Sequence, residues 1–429
     1  MNVWQEIKEF VSSEIIRNSA KLLTASVIVQ IIGLLVYPIL TRLYSPENFG
    51  LINLFLSISG ILSLIATAEF QYAVLLPESE GKAISCFHLG CFSTVMVFVV
   101  LVCTIPFSHT IAGWFNAPDL ADWYWGIPIF VVLSSIWILV NYWYTRQKQF
   151  GQICRYQITQ CLTNAGAKCG FGALGFINGG LIISALISPC IALGISIVTT
   201  FKSYIKPLFS HPHNYSKTLK EYANFPKFSL PRALINYVSG NLPVFMLTPF
   251  FGLTEIGFFG MAVTLAFKPI NMISSSLYQV LFQKTSEQVQ NRQHIKQHIF
   301  KFLQTSVFII VPCFAVLYFI LPSLTELLLG ECWRETGEYI QLMLCWLAFS
   351  FLVAPICYVS DIFQKQKIGL FFEILLVLTR LLGLSYGIFT DSFYNAIVGY
   401  CIGSAVSIAA QLIWLISLIT NYERTITDS

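Results

Sequence analysis

Long apolar runs, separated by short polar stretches, follow one another along nearly the whole chain. A helix needs about 20 mostly apolar residues to cross a bilayer. Twelve runs reach that length, so the pattern predicts an all-α integral membrane protein with twelve transmembrane helices. The predicted spans are 18–40, 49–70, 83–106, 125–145, 154–176, 179–201, 228–250, 256–282, 300–321, 339–361, 367–389 and 395–420.

The spacing of the polar stretches divides the chain into four segments. Apolar residues at helical spacing in 1–16 predict an amphipathic helix that lies on the membrane surface. Residues 17–201 then form a predicted N-terminal lobe of six helices. A basic linker at 202–227 separates it from a C-terminal lobe of six helices at 228–429.

A repeated hairpin motif supports two related halves. At 40–50, between the first two spans, Ser45 can cap the next helix and Pro46 suits its first position. A degraded copy lies about half a chain later, at 247–257, and it also begins Leu-Thr and ends with an apolar residue and Gly. Because six spans return the chain to its starting side, we expect two parallel repeats around a central cavity.

The overall composition agrees with membrane insertion. Hydrophobic residues make up 56% of the chain and charged residues 11%, and the mean hydropathy is +0.70. A soluble domain carries about 25% charged residues. The net charge of +4 includes no basic block, so no nucleic-acid partner is expected. The chain has no phosphate-binding loop motif and no His or Cys ligand spacing, so we expect no catalytic residue, metal or cofactor.

The positions of Lys and Arg predict the orientation in the membrane. Outer loops hold only Arg42 and Arg334, whereas the inner loops and termini hold every other basic residue outside the spans. Basic residues concentrate in cytoplasmic loops. Both termini are therefore predicted to be cytoplasmic.

Polar residues recur on one face of several predicted spans. In the fifth span, Gln157, Gln160, Asn164 and Lys168 share a helical face. A charge at the centre of a transmembrane helix costs roughly 2.5–3.5 kcal/mol. The other candidates are Lys21, Arg232, Lys268 and Arg380, together with Asn53, Asn236 and Asn271.

Two interpretations of these polar faces remain open. They can join helices across a dry interface. They can also line a water-filled cavity, and because the deep charges are mainly positive, such a cavity would attract an anion. Three acids, Glu69, Asp361 and Glu373, are candidates for ion-pair partners or for proton-carrying groups.

The first hairpin also carries a family resemblance. Its sequence, Leu-Thr-Arg-Leu-Tyr-Ser-Pro-Glu-Asn-Phe-Gly at 40–50, resembles the first-loop signature of Wzx-type polysaccharide flippases. These belong to the multidrug/oligosaccharidyl-lipid/polysaccharide exporter superfamily. Weaker similarity continues at 69–77 and 268–282.

The chain departs from the family pattern at two places. Glu69 and Gln71 stand where the family often has Arg and Glu, so the order of charges is altered. Lys268 stands where an Arg is common, which keeps the charge but loses the planar fork that binds phosphate in two places.

The resemblance implies a transporter that is not an enzyme. Its expected substrate is an undecaprenyl-diphosphate-linked oligosaccharide, the repeat unit of O-antigen or a related surface polysaccharide. Alternating access would move this lipid from the cytoplasmic to the periplasmic leaflet of the bacterial inner membrane. Lys168, Lys268 and Arg380 would attract the diphosphate, and the amide side chains would bind sugar hydroxyls. The implied partners are the lipid bilayer, a polysaccharide polymerase and a chain-length regulator.

Three other functions remain as alternatives. An ion-coupled small-molecule exporter of the same superfamily would favour an acid-lined cavity, whereas the deep charges here are mainly basic. A flippase for peptidoglycan precursors would usually carry two further spans. A polysaccharide polymerase would be expected to expose a large outer loop, and the sequence predicts none.

Overall fold

A computed structural model describes residues 14–209 and 215–427, and for 14–23 it describes the backbone alone. The helix predicted at 1–16 lies outside the described residues except for its last three positions, which begin the first long helix. The described residues contain helices, turns and no strand, which confirms the all-α prediction.

Twelve helices of 20 or more residues run through the described part of the chain. They are α1 (Glu14–Leu43), α2 (Pro46–Thr67), α3 (Glu80–Thr104), α4 (Gly126–Arg146), α5 (Phe150–Ala173), α6 (Ile177–Thr200), α7 (Leu230–Ala262), α8 (Lys268–Gln290), α9 (Lys296–Leu329), α10 (Arg334–Val353), α11 (Gln366–Phe389) and α12 (Phe393–Thr427).

Short helical elements connect the long ones. The α-helical ones are Phe70–Ala73, Ser108–Trp114, Asp119–Trp123, Tyr215–Glu221 and Val359–Ile362. The 3₁₀ turns are Ile105–Phe107, Lys206–Phe209, Glu331–Trp333 and Ala354–Ile356, and the π-helical turns are Phe201–Ile205, Phe225–Ser229 and Val263–Phe267.

Ten segments of the described residues are long and apolar enough to cross a membrane. Two features explain why this number is lower than twelve. The polar residues of α5 remove it from the apolar set, and α7 and α8 merge into one segment, Phe225–Val289. The eighth span, predicted at 256–282, in fact covers the end of α7, a π-helical turn and the first part of α8.

The start of α2 confirms the predicted cap. The Ser45 hydroxyl accepts a hydrogen bond from the backbone N–H of Asn48 at 3.4 Å, and the Asn48 side chain accepts one from the backbone N–H of Ser45 at 3.1 Å. Pro46 occupies the first helical position, as its missing N–H allows. In the second copy of the motif, the backbone leaves helical geometry at Gly252, with φ +82° and ψ −177°.

The chain folds into two compact units, Met1–Val244 and Phe245–Ser429. The boundary falls inside α7, after the predicted linker at 202–227 and after the predicted start of the C-terminal lobe at 228. The first 15 residues of α7 therefore pack with the first unit, because chain connectivity does not by itself decide which core a helix joins.

The same helix pairs pack together inside each unit. In the first unit α5 packs on α6, α3 on α4, and α4 on α6, while α1 packs on α5. In the second unit α11 packs on α12, α9 on α10, and α10 on α12. Each pair in the second unit is the first-unit pair advanced by six helices, as expected for two related halves.

The described part of the linker is folded onto the first unit. The Trp143 indole N–H donates to the Tyr204 carbonyl at 2.8 Å, and Lys82 forms an ion pair with Glu221 at 3.1 Å. His88 lies within hydrogen-bond distance of the Leu208 carbonyl, at 2.6 Å. These residues of the linker therefore belong to the first unit structurally.

Candidate substrate site

The polar face of α5 lies partly against α6. The Asn164 side-chain N–H₂ donates to the Ser188 hydroxyl at 2.9 Å and to the Ser184 carbonyl at 3.3 Å. Gln157 has a buried side-chain oxygen with no hydrogen-bond partner among the described residues, and Gln160 is half-buried. The dry-interface interpretation therefore fits Asn164, whereas Gln157 keeps an unused acceptor.

The basic candidates of the first unit differ in how exposed their side chains are. Lys168 is half-buried near the end of α5, and its backbone carbonyl accepts a hydrogen bond from the Tyr44 hydroxyl at 2.8 Å. Arg232, in the first turn of α7, has an exposed side chain. Lys21 lies on α1, in the stretch for which only the backbone is described.

A polar contact joins α2 to the first part of α7. The Ser57 hydroxyl donates to the Asn241 side-chain oxygen at 3.0 Å, and the Tyr237 hydroxyl donates to the Leu56 carbonyl at 3.3 Å. Of the residues predicted here, Asn53 is half-buried and Asn236 is exposed. Asn241 was missed because the pairing joins positions far apart in sequence, and spacing carries no signal for it.

The acid Glu69 lies in the connection that follows α2. Its side chain is buried at 3% exposure, and both Ala68 (φ +48°) and Glu69 (φ +63°) adopt left-handed backbone, which is unusual for residues other than glycine. Burial raises the pKa of the Glu69 carboxyl above its usual value, while a hydrogen bond from Gln71 and the charge of Arg232 oppose that rise.

The strongest cationic feature of the second unit is Arg380 on α11. Its side chain is 8% exposed, and Nε donates to the Ser404 hydroxyl of α12 at 2.9 Å. The guanidinium carbon lies 4.9 Å from the ring centroid of Tyr400 and 5.6 Å from that of Trp346. We call this cluster of Arg380, Ser404, Tyr400 and Trp346 the arginine site.

The arginine site leaves polar groups unused. Among the described residues no carboxylate lies within 4.0 Å of Arg380, and Nε makes its only side-chain hydrogen bond. The indole N–H of Trp346 is also buried without a partner in that part of the chain. Cation–π contacts stabilise a buried arginine but do not neutralise it. The geometry can therefore accept an anion with hydrogen-bond acceptors.

Close packing of α11 against α12 holds the arginine site in place. At Gly383, one turn from Arg380, an added Cβ would collide with the backbone of Gly399 and Tyr400. At Gly387 it would collide with Ala396. Tyr400 and Ser404 are four residues apart on α12, so they lie on the same helix face beneath Arg380.

The remaining candidate residues of the second unit are exposed on the protein surface. Lys268 and Asn271, at the start of α8, have exposed side chains. Asp361 and Glu373 are exposed too, and neither forms an ion pair with a described residue. Arg380 thus contacts aromatic and hydroxyl groups, and it forms no ion pair with Glu373.

Aromatic side chains of the second unit pack against one another. Trp346 stacks on Phe267 with ring centroids 5.4 Å apart, and Tyr278 stacks on Phe282 at 5.8 Å. Sequence spacing missed Tyr400, which contacts Arg380 from the neighbouring helix. Tyr400 and Arg380 are 20 positions apart, and only the packing of α11 on α12 reveals the pair.

Comparison with known sequences supports a role in polysaccharide synthesis. The profile of a family described as polysaccharide biosynthesis protein matches residues 39–338. An uncharacterized membrane protein in the cps region of Klebsiella pneumoniae is 19% identical over 402 residues, covering 91% of this chain and 80% of that protein. The lipopolysaccharide biosynthesis protein WzxC of Escherichia coli K12 is 21% identical over 330 residues, covering 74% of this chain and 64% of that protein.

Comparison with solved structures shows the fold. The lipid II flippase MurJ, in an inward closed conformation, matches with a TM-score of 0.69 at 13% identity and covers 95% of this chain and 91% of that one. An inward-facing multidrug resistance transporter of the MATE family, in the MOP superfamily, matches with a TM-score of 0.64 at 14% identity, covering 92% and 96%.

These matches confirm the resemblance seen in the first hairpin. The family profile includes that hairpin, all of α2 to α9 and the first residues of α10, and the structural matches extend over nearly the whole chain. The chain is thus a multi-pass membrane protein that belongs to the polysaccharide biosynthesis protein family and has the fold of the multidrug/oligosaccharidyl-lipid/polysaccharide exporter superfamily.

Proposed function

We propose that this protein flips an undecaprenyl-diphosphate-linked oligosaccharide from the cytoplasmic to the periplasmic leaflet of a bacterial inner membrane. It works by alternating access, with both termini in the cytoplasm, and supplies a surface polysaccharide such as O-antigen. Membership of the polysaccharide biosynthesis family supports the substrate class. The concentration of Lys and Arg in the predicted inner loops supports the orientation.

The arginine site is the observation that carries the proposal. Arg380 is 8% exposed and has no carboxylate partner among the described residues. A buried charge is costly unless it is paired and hydrogen-bonded. Guanidinium has five N–H donors in a planar fork that matches phosphate oxygens, and described side chains use one of them. A lipid diphosphate would supply both the negative charge and the acceptors.

The amide and lysine side chains serve the sugar and the second phosphate in this proposal. Lys268 and Asn271 are exposed near the start of α8, and Gln157 on α5 keeps a buried oxygen without a described partner. Lysine binds phosphate as a point charge and amides pair with hydroxyls. Each unit therefore supplies a polar side chain of the kind that binds sugar hydroxyls, and the second unit also supplies a positive charge for a phosphate.

Replacing the proposed phosphate ligands should stop polysaccharide export. In cells that lack this gene, Arg380→Gln should restore at least about tenfold less surface polysaccharide than the wild-type gene, since a hydrogen bond to a charged group contributes about 1.5–3 kcal/mol. Lys268→Ala should also reduce the yield. Surface polysaccharide is measured on gels, and the amount of membrane-inserted protein is measured in the same cells.

Arg424→Gln is the matched control, because Arg424 is an exposed arginine in the last turn of α12. It should restore the wild-type yield. Wild-type yield from Arg380→Gln at a normal protein level would remove the arginine site from transport. Loss of membrane-inserted Arg380→Gln protein would assign Arg380 to folding, and the Lys268→Ala result would then decide the proposal.

A further inference from the structure

A groove of about 470 Å³ opens in the second unit, and no residue of the arginine site lines it. Three helices form it: α8, α9 and α10. Its walls are apolar and include Leu277 and Leu281 of α8, Ile309 and Ile310 of α9, and Phe351 of α10. Walls of this kind favour a hydrocarbon chain, because apolar surface is removed from water on contact.

One end of the groove is basic. Lys284 lies near the end of α8 and Lys301 lies near the start of α9, and both have exposed side chains that line the groove. Neither forms an ion pair with a residue in the described ranges. The distribution of Lys and Arg predicts that this end faces the cytoplasm.

A histidine adds an unused polar atom at the same end. The His298 Nε2 atom lies 3.1 Å from the Thr285 hydroxyl, while Nδ1 is buried and has no hydrogen-bond partner among the described residues. His298 lines the groove together with the two lysines. The groove therefore combines an apolar channel with three nitrogen-bearing side chains at its predicted cytoplasmic end.

We propose that this groove binds an anionic phospholipid from the cytoplasmic leaflet. One acyl chain lies along the apolar wall, and the phosphodiester contacts Lys284 and Lys301. Basic pockets between transmembrane helices on the cytoplasmic side bind anionic headgroups. Lysines act as separate point charges and lack the planar arginine fork, which suits a single phosphodiester better than a diphosphate clamp.

A second groove in the first unit provides an internal comparison. It has about 370 Å³ and lies along α3 and α4, where Val95, Phe98 and Ile136 are among its lining residues. No Lys, Arg or His lines it. This groove has the apolar wall without the basic end, so it should not distinguish anionic from neutral lipids.

Native mass spectrometry of the purified full-length protein in detergent tests the proposal. Phosphatidylglycerol and phosphatidylcholine with identical acyl chains are titrated separately. The wild-type protein should bind phosphatidylglycerol about 30-fold more tightly, because each of the two lysines near the membrane surface contributes about 1 kcal/mol. The double variant Lys284→Gln/Lys301→Gln should lose this preference, and Leu281→Trp should weaken binding of both lipids by filling the groove.

The double variant Lys365→Gln/Lys367→Gln is the matched control, because it removes two exposed lysines from another loop on the same predicted side. It should keep the wild-type preference, and all variants should keep the wild-type melting temperature. Equal binding of the two lipids to the wild type would overturn the proposal. So would a preference that survives in Lys284→Gln/Lys301→Gln, competition by free glycerol 3-phosphate at the same concentration, or displacement by an equimolar amount of undecaprenyl phosphate.

Discussion

Glu69 and the residue before it, Ala68, combine three energetic costs. The Glu69 carboxyl is buried, and both residues adopt left-handed backbone. Residues in such conformations cost about 1–3 kcal/mol each and cluster at functional sites. The connection packs in the first unit against the turn Phe225–Ser229, shortly before α7 begins. The altered charge order noted in the sequence thus coincides with a strained, buried position.

The raised pKa of Glu69 predicts a pH-dependent stability. An acid whose folded pKa exceeds its unfolded value contributes stability at low pH that is lost as pH rises, starting near the ordinary carboxyl pKa of about 4.3. From about pH 4 to pH 8, the melting temperature of the wild type should fall relative to Glu69→Gln. Thermal unfolding of both proteins in detergent measures the difference.

Two further variants make this test specific. Arg232→Gln should enlarge the loss, since the charge of Arg232 opposes the rise of the Glu69 pKa. Glu373→Gln removes an exposed carboxyl but keeps Glu69, so its melting temperature should fall with pH as that of the wild type does. A wild-type and Glu69→Gln difference that stays constant across the range would contradict the burial argument.

Asn164 distinguishes the two interpretations of the polar face of α5. Its hydrogen bonds to Ser188 and Ser184 predict a structural role. Asn164→Ala should lower the free energy of unfolding by about 0.6 kcal/mol and by no more than about 1.7 kcal/mol, the average and the maximum for hydrogen bonds between membrane helices. Surface polysaccharide should stay near the wild-type level. Gln160→Ala, on the same face, should leave the free energy of unfolding near the wild-type value and should reduce the amount of surface polysaccharide. Normal stability with lost export in Asn164→Ala would assign Asn164 to the substrate.

The unusual residues could be identified from the sequence, whereas most of their contacts could not. A deep charge such as Arg380 stands out in an apolar run, whatever surrounds it. Its partners Trp346 and Tyr400 come from α10 and α12, so no spacing within α11 could reveal them. Asn164 was equally noticeable in the sequence, but whether its side chain contacts the substrate or the neighbouring helix depends on how α5 packs on α6.

At the scale of elements, the contact between α11 and α12 is the one that sets the arginine site. Close approach is possible because Gly383 faces Gly399 and Gly387 faces Ala396. Small residues at helix contacts let backbones approach in membranes. The hydrogen bond from Arg380 to Ser404 depends on that approach.

Gly383→Ala should therefore separate the two helices. Overpacking costs about 1–3 kcal/mol, so the melting temperature should fall, and export should fall with it because Arg380 loses Ser404 and Tyr400. Gly166→Ala on α5 is the control, since an added Cβ there meets nothing within 4 Å. That variant should be neutral or slightly stabilising. Unchanged stability and export in Gly383→Ala would contradict the assigned contact.

The elements themselves were largely predictable from apolar length and capping chemistry. Ser45 and Pro46 marked the start of α2 correctly because both act through local backbone groups. The break in helical geometry at Gly252 falls in the predicted gap between the seventh and eighth spans. The predicted eighth span itself was less accurate, because the π-helical turn Val263–Phe267 interrupts it without a polar stretch. Hydropathy alone cannot detect a break in backbone geometry inside an apolar run.

At the scale of the whole molecule, the sequence predicted two related six-helix halves, and the structure contains two units with matching helix pairs. The unit boundary within α7 was not predicted. Hydropathy placed the division at the polar linker, whereas Tyr204, Leu208 and Glu221 fix the described linker residues to the first unit. Polarity identifies a loop, and only packing identifies the unit to which it is attached.

The most direct test of the proposed function uses purified protein in liposomes. A fluorescent oligosaccharide linked to a polyprenyl diphosphate is incorporated into both leaflets, and dithionite is added outside to quench the accessible label. With the wild-type protein, the inner-leaflet label should become accessible over time, and with Arg380→Gln it should do so at least about tenfold more slowly. Quenching by the wild type that stops at the level of protein-free liposomes would contradict the account.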